Sequence, residues 1–285
     1  MPSQAYLKFR EAMAKLPPPG SMPLDAPPPE GVYLFGGSAP VPAGVDVCQG
    51  EICGVPVIWA QPQGAPEKKL LLYLHGGGFQ EIPPGKYLKF PFLGELADRS
   101  HLTCVAADYR LMPRYHFPDT IHDVCRVYQG LLASGYAADN IGVVGESAGG
   151  NLTLVLWLWC RMYGITPPGA LAALSPVVDL SGTEAEIGCR LAPDRDLTAP
   201  LISPRYGSYT GLRRVFVQYG TDDLDAVLKG PGEEMIRTME GQGVEVVYDR
   251  WSGLGHAFAT DVGLYPEADE ACQRAIDFLK REIHA

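Results

Sequence analysis

The sequence of 285 residues has no long hydrophobic run and no cluster of basic residues. Its longest apolar stretch, Leu154–Cys160, is far shorter than the roughly 20 residues that a membrane-spanning helix needs. The N-terminus has no apolar stretch of signal-peptide length. A formal net charge of −10 without any Lys/Arg run argues against a nucleic-acid partner, because phosphate binding requires a basic face. We therefore predict a cytoplasmic protein with no membrane insertion and no nucleic-acid partner.

The cysteines provide neither a disulfide framework nor a metal site. Their number, seven, is odd, and they are scattered along the chain. Cys48 and Cys53 have a C-x4-C spacing, but no second Cys or His pair with ligand spacing accompanies them. We therefore expect reduced thiols, no metal and no cofactor.

Strand-like and helix-like segments alternate along most of the chain, which indicates βαβ units and a mainly parallel sheet in one large α/β domain. The segments before residue 140 are strands at Val55–Ala60, Leu70–Leu74 and Leu102–Asp108 and helices at Pro91–Arg99 and Asp119–Ser134. Those after it are strands at Ile141–Val144, Ala170–Leu174, Arg214–Tyr219 and Val244–Trp251 and helices at Ala148–Tyr163 and Glu267–Glu282.

Two segments interrupt this alternation. The first is a short amphipathic helix, followed by a proline-rich connector that cannot be helix or central strand; the helix has Tyr6, Phe9, Met13 and Leu16 at helical spacing. The second is Val178–Tyr209, which is rich in Pro, Gly, Asp and Ser and has no strand period. Because a loop of this length in a compact domain is usually functional, we predict a lid near the active site.

The stretch VVGESAGGN at 143–151 contains a candidate nucleophile. Ser147 lies in a G-x-S-x-G motif between a predicted buried strand and a predicted buried helix, as a nucleophile turn requires. Side chains at Gly145 and Gly149 would collide with the neighbouring strand and helix. The alternative is a Gly/Ser turn in which Ser147 caps the helix, and the remaining motifs decide between the two.

Three further motifs complete a catalytic machinery. HGGG at 75–78 follows an apolar strand, so the amides of Gly77 and Gly78, together with that of Ala148, are the expected oxyanion donors. His75 is interpreted as a structural residue of this loop. His256 lies between the last strand and the last helix, where the order Ser…acid…His puts the base.

The acid that orients His256 is expected after the strand Arg214–Tyr219, where three aspartates lie close together. Counting from the glycine that ends the strand gives Asp223, whereas counting back from a D-x-L pattern gives Asp222. We prefer Asp223, because the end of the strand fixes the geometry, and Asp222 remains the alternative. Asp225 more plausibly caps the next turn.

With these residues in place, the chain resembles the α/β-hydrolase fold and, within it, the bacterial hormone-sensitive-lipase-like (family IV) carboxylesterases. The matching motifs, in order, are HGGGF at 75–79, DYRLMP at 108–113, FPDTIHD at 117–123, GESAGGNL at 145–152 and GHAF at 255–258. The resemblance covers roughly residues 50–282.

The resemblance implies a catalytic domain at 46–285 and a small helical cap, formed by the N-terminal segment 1–45 and the insertion 178–210. It also implies hydrolysis of short-chain esters of small molecules without a cofactor, and commonly a homodimer. We expect an apolar pocket, with Tyr6, Phe9 and Met13 from the cap joined by Phe79 and by Tyr206 or Tyr209.

The sequence departs from the family pattern at several positions. Glu146 stands where an aspartate usually precedes the serine, and Arg114 stands where an acid usually follows the YRLxP proline. The D-x-L-x-D pattern near the catalytic acid is shortened, and the N-terminal cap segment is short. Two rival interpretations remain: the same triad acting on an amide, a lactone or an acyl transfer, and a non-catalytic ligand-binding receptor on the same fold.

Overall fold

A computed structural model describes residues 2–15, 41–80, 91–182, 184–222 and 229–283 of the chain. The proline-rich connector, which falls within residues 16–40, and the preferred acid Asp223 lie outside these ranges. None of the helices within them is both long and apolar enough to cross a bilayer.

The described residues form one eight-stranded sheet in the order β1-β2-β4-β3-β5-β6-β7-β8. Strand β2 pairs antiparallel with β1 and β4, and every other neighbouring pair is parallel, as the alternating segments predicted. The strands are β1 (Val45–Ile52), β2 (Val55–Pro62), β3 (Leu70–Leu74), β4 (Thr103–Ala107), β5 (Ile141–Glu146), β6 (Ala170–Leu174), β7 (Arg214–Gly220) and β8 (Glu245–Trp251).

Helices cover both faces of this sheet. Those in the described ranges are α1 (Gln4–Ala14), α2 (Pro91–Ser100), α3 (Asp119–Ala133), α4 (Ala148–Tyr163), α5 (Ala185–Leu191), α6 (Lys229–Gly241) and α7 (Pro266–Glu282). The core on one face contains residues of α3, α4 and α6, and the core on the other contains residues of α2 and α7 with Tyr6 of α1. Successive side chains of β3 alternate between these two cores, because strand side chains point to opposite faces.

Two elements were absent from the predicted segments. Strand β1 is an edge strand whose side chains between Val45 and Ile52 are all exposed, so it carries no hydrophobic signal. It pairs with β2 through a two-residue turn in which Cys53 and Gly54 both have positive φ, as a tight hairpin requires. Helix α6 begins KGPG, a stretch whose glycines and proline are typical of a loop.

The segment predicted as a lid contains α5, and hydrogen bonds connect it to the buried helix α4. The Asn151 side-chain amide donates to the carbonyl oxygens of Val177 (2.8 Å) and Ile202 (3.0 Å). Asp179 and Arg205, near the two ends of the segment, form an ion pair at 2.7 Å. A Cβ on Gly78 would lie 4.0 Å from Ile187 of α5, so this segment reaches the glycine loop after β3.

Three aromatic residues expected in the pocket lie elsewhere. Phe79 and Tyr209 are fully buried core residues, and Tyr209 stacks on Trp157. Tyr206 is exposed, and its hydroxyl pairs with Ser181 at 3.0 Å. Within the described part of the chain, none of the three is among the residues that line the cavity beside His256.

Candidate active site

Ser147 occupies a strained turn between the end of β5 and the start of α4. Its φ of 55° and ψ of −116° lie in a region that residues with a Cβ rarely adopt. Its neighbours from Ile141 to Gly150 are buried, whereas Ser147 is partly exposed. The turn therefore presents this one side chain at the surface of an otherwise buried stretch.

The glycines that flank Ser147 have no room for a side chain. A Cβ on Gly145 would lie 2.4 Å from the carbonyl oxygen of Gly149, and a Cβ on Gly149 would lie 1.8 Å from that of Leu74. The collisions expected from the motif are therefore present, and they involve backbone atoms that cannot move aside. Helix α4 can approach β3 and β5 this closely only because both positions are glycine.

The backbone of Ser147 is fixed on both sides by the segment that follows β6. The Ser147 amide donates to the carbonyl oxygen of Leu174 at 2.9 Å, and the Val177 amide donates to the carbonyl oxygen of Ser147 at 3.1 Å. Although Ser147 occupies the N-cap position of α4, its side chain makes no capping hydrogen bond. This geometry favours the nucleophile over the capping interpretation.

The glycine loop after β3 lies against this turn. A Cβ on Gly76 would be 3.2 Å from the Cβ of Ser147. Gly77 and Gly78 have φ values of 108° and 62°, which glycine adopts without strain, and both are partly exposed. Within the described part of the chain, neither amide donates to another protein group. These amides, with that of Ala148 in the first turn of α4, can bind an anion beside Ser147.

The DYRLMP stretch supports the glycine loop from outside. The Met112 amide donates to the carbonyl oxygen of Phe79 at 2.8 Å, and the Tyr109 ring stacks on His75 with ring centroids 4.2 Å apart. Arg110 binds Asp123 (2.7 Å) and Asp119 (2.9 Å) at the start of α3, which joins this stretch to FPDTIHD. The two motifs therefore form the scaffold of the loop.

His75 is a structural residue of the loop. Its side chain is buried, and burial lowers the pKa of its imidazole to about 4, although a hydrogen bond to the Gly76 carbonyl opposes this shift. The ring is therefore neutral at pH 7.

His256 is partly exposed in the loop after β8, as predicted for the base. It lines a cavity of about 280 Å³ with side chains of α1 and of the segment that leads into α7. Tyr6, Phe9 and Met13, which were expected in the pocket, are among the lining residues. On the side that α1 provides, the cavity is therefore lined by two aromatic rings, a methionine and the charged Arg10.

Of the two candidate acids, only Asp222 lies within the described residues. Asp223 lies outside the described residues, so its assignment stays a prediction. Asp222 also lines the cavity, but its carboxylate accepts a hydrogen bond from the guanidinium of Arg10 at 2.8 Å. About half of each of these two side chains is exposed, so the ion pair is a solvated one.

Glu146 joins the nucleophile turn to the glycine loop. Its Oε1 accepts hydrogen bonds from the Gly76 amide (2.6 Å) and from the Tyr73 hydroxyl (3.0 Å). Its Oε2 is buried without a hydrogen-bond partner among the described residues. Burial raises the pKa of this carboxyl to about 7, although the two hydrogen bonds oppose the shift. The glutamate that replaces the usual aspartate is therefore a buried carboxyl group whose protonated form the folded state favours.

This raised pKa predicts a pH-dependent difference between the wild type and Glu146→Gln, whose side chain resembles the protonated acid. The folded state binds the proton more tightly than the unfolded state, so stability falls as the pH rises from the ordinary value of 4.5 to about 7. Over that range the wild type should lose about 3 kcal/mol of unfolding free energy relative to the variant. Denaturant titrations of both proteins across this range measure the loss, and parallel pH profiles would contradict the assignment to Glu146.

Sequence reasoning missed several ionisable groups of the cavity, among them Asp261. The Tyr265 hydroxyl donates to its carboxyl group at 2.6 Å, and burial raises the pKa of that carboxyl to about 7. The sequence offers no motif for such a group, because its environment comes from α1 and from the start of α7. Among the residues that the structure describes, no cluster of three or more His, Cys, Asp or Glu side chains could hold a metal.

The chain is similar to known proteins in both sequence and fold. A family model described as the alpha/beta hydrolase fold matches residues 71–260. LipR of Mycobacterium tuberculosis, whose name assigns it provisionally to the acetyl-hydrolases, is 30% identical over 86% of this chain and 84% of its own length. An esterase of Acinetobacter venetianus is 26% identical over 75% of each chain.

A solved structure of an esterase has a similar fold. An esterase from the bacterial hormone-sensitive lipase family superposes with a TM-score of 0.79 and 28% identity, over 87% of this chain and 88% of that one. The family model spans most of the chain, and the relatives align with it over three quarters or more of their length. The chain therefore belongs to the α/β-hydrolase family, in its hormone-sensitive-lipase branch.

Proposed function

We propose that the protein is a serine carboxylesterase that hydrolyses short-chain acyl esters of small molecules. Ser147 is the nucleophile, His256 the general base and Asp223 the acid that orients the imidazole. The amides of Gly77, Gly78 and Ala148 form the oxyanion hole.

The observation that carries this proposal is the turn at Ser147. A strained serine at the end of a buried strand, with Gly76 of the glycine loop packed against it and two positive-φ glycines directly after Gly76, is a costly arrangement. A purely structural helix start has no use for such strain, whereas acyl transfer needs an exposed hydroxyl beside amide donors. Membership of an esterase branch of the α/β-hydrolase family points to the same chemistry.

The reaction proceeds in two steps. His256 removes the Ser147 proton as Oγ attacks the ester carbonyl, and the tetrahedral oxyanion is bound by the three amides. His256 then gives that proton to the departing alcohol, which leaves an acyl-enzyme. In the second step His256 takes a proton from water, the hydroxide attacks the acyl carbon, and Ser147 regains its proton as the acid is released.

The preference for short acyl groups is supported by two relatives that are named as acetyl-hydrolases, one of them provisionally. An acetyl group has two carbon atoms, so these names point to the short end of the acyl series.

Hydrolysis of p-nitrophenyl esters from acetate to palmitate tests this function. We expect the highest kcat/KM on acetate and butyrate, and the Ser147→Ala variant corrects for background hydrolysis. A serine-directed phosphonate should add to the protein once, at Ser147, as intact mass and peptide mapping would show. Matched amides and lactones, with an alcohol acceptor, test the rival acyl substrates, and a higher rate on any of them would replace the ester assignment. Neither turnover nor adduct would favour a ligand-binding receptor.

A further inference from the structure

Two side-chain hydroxyl groups bracket His256 by accepting the amide hydrogens of its two sequence neighbours. The Gly255 amide donates to the Tyr6 hydroxyl at 2.8 Å, and the Ala257 amide donates to the Ser175 hydroxyl at 3.1 Å. Tyr6 belongs to α1 and Ser175 follows β6, so the loop of the base is held from two separate elements.

Ser175 belongs to the same short segment that fixes the nucleophile. It lies directly after Leu174, whose carbonyl oxygen accepts the Ser147 amide, and two residues before Val177, whose amide donates to Ser147. Ser175 is itself buried, has a φ of 43°, and donates its own amide to the carbonyl oxygen of Gln218 in β7 at 2.7 Å. One short segment therefore contacts the backbone of Ser147 and the backbone beside His256.

Tyr6 is held as firmly on the other side. Its side chain is 3% exposed, and its ring packs edge-on against Tyr265 with centroids 5.0 Å apart. The Ser3 hydroxyl, at the N-terminus of α1, donates to the Glu267 carboxylate at 2.8 Å. The hydroxyl of Tyr6 therefore has a fixed position relative to α7.

We propose that Tyr6 and Ser175 are positioning residues that hold His256 in register with Ser147. This inference rests on the proposed function, because it gives both residues a role only if His256 acts on Ser147. The hydroxyl of Ser175 sets the loop relative to the nucleophile, and the hydroxyl of Tyr6 prevents it from moving outward into the cavity.

The loop of His256 needs such support because it has no regular structure of its own. Residues 252–257 lie between β8 and a short turn, and Ala257 has a φ of 53°, which is unfavourable for a residue with a side chain. A displacement of a catalytic group by about 1 Å can lower turnover by about a hundredfold. Two hydrogen bonds on the immediate neighbours of the base, one buried and one partly buried, therefore bear directly on turnover.

The alternative is that both bonds only stabilise the fold, and matched controls separate the two interpretations. Tyr6→Phe is compared with Tyr128→Phe, which removes the hydroxyl of another buried tyrosine. Tyr128 belongs to α3, and its hydroxyl donates to the Thr166 carbonyl oxygen at 2.7 Å. Ser175→Ala is compared with Ser100→Ala, since Ser100 is also buried and accepts a backbone amide, that of Leu102, at 3.1 Å.

Each of Tyr6→Phe and Ser175→Ala should lower kcat by about fivefold to tenfold. This loss lies between the effect of removing one ordinary hydrogen bond and the larger effect of displacing a catalytic base by about 1 Å. The KM of each should stay within about twofold, because each hydroxyl is proposed to act through the backbone beside His256 and not through the substrate. The double variant should lose at least the product of the single losses. Both control variants should keep the wild-type kcat, although their melting temperatures fall.

The measurements are steady-state kcat and KM on p-nitrophenyl butyrate, the melting temperature, and the rate of phosphonate labelling at Ser147. Values of kcat in the variants equal to those of their controls, or losses confined to KM, would overturn the positioning role. If Tyr6→Phe does not fold, Ser175→Ala decides by the same criteria. If the wild type has no esterase activity, the proposed function fails, and the labelling rate, which also depends on His256, still tests the positioning of the base.

Discussion

Replacing Ser147 by alanine is expected to lower ester hydrolysis by roughly 10⁵-fold to 10⁶-fold while the fold remains intact. The change removes the oxygen atom that is proposed to form the acyl-enzyme, and no other serine lies in the turn between β5 and α4. Steady-state hydrolysis of p-nitrophenyl butyrate measures the loss, and circular dichroism with a thermal melt verifies the fold. Residual turnover above about one per cent of the wild type would exclude Ser147 as the nucleophile, because an intact nucleophile is worth far more.

The strain at Ser147 gives this prediction a second readout. Serine and alanine both carry a Cβ in a backbone region that costs about 1–3 kcal/mol, whereas glycine adopts it freely. Ser147→Gly should therefore unfold with a free energy about 1 kcal/mol higher than that of Ser147→Ala, and both variants should be inactive. Equal stabilities would mean that the turn relaxes without cost, and the argument from strain would fail.

Most of the fold could be predicted from the sequence, because strong local patterns specify it. The buried strands β3 and β5 are short apolar runs next to turn residues, and α4 is apolar nearly all round, as its burial confirms. The resemblance to the hormone-sensitive-lipase branch, which those elements and their motifs supported, is confirmed. The sequence could not indicate β1, whose inner residues are all exposed and which depends on pairing with β2.

In the candidate site, too, one part could be predicted from the sequence and another part could not. The expected positions of Ser147, of the glycine loop and of His256 follow from short motifs, and their catalytic roles stay predictions that the structure makes reasonable. The contacts that tie these pieces together join residues far apart in the sequence, such as Tyr6 with Gly255 or Gly76 with Glu146. A single sequence carries no signal for such pairs, because each side chain is ordinary in its own local context.

The second large expected effect concerns the acid of the triad. Asp223→Asn should lower kcat by about 10³-fold to 10⁴-fold, because an amide stabilises neither the required tautomer of His256 nor its cation. Asp222→Asn should lower kcat by no more than about threefold, the cost of an exposed ion pair. Both variants are measured on the same ester, with thermal melts to verify folding. A loss of orders of magnitude at Asp222 instead would transfer the role to that residue.

The ion pair between Arg10 and Asp222 makes this comparison decisive. If Asp222 acts only through Arg10, then Arg10→Gln and Asp222→Asn should have the same small effect, and the double variant should lose no more than either alone. If Asp222 orients His256, Arg10→Gln should leave most of the activity while Asp222→Asn removes it. The exposed guanidinium of Arg10 would then contribute little, because the Asp222 carboxylate would still bind the imidazole. The geometry favours the first outcome, since a triad acid is held by the imidazole it orients, whereas the Asp222 carboxylate is turned toward α1 and solvent.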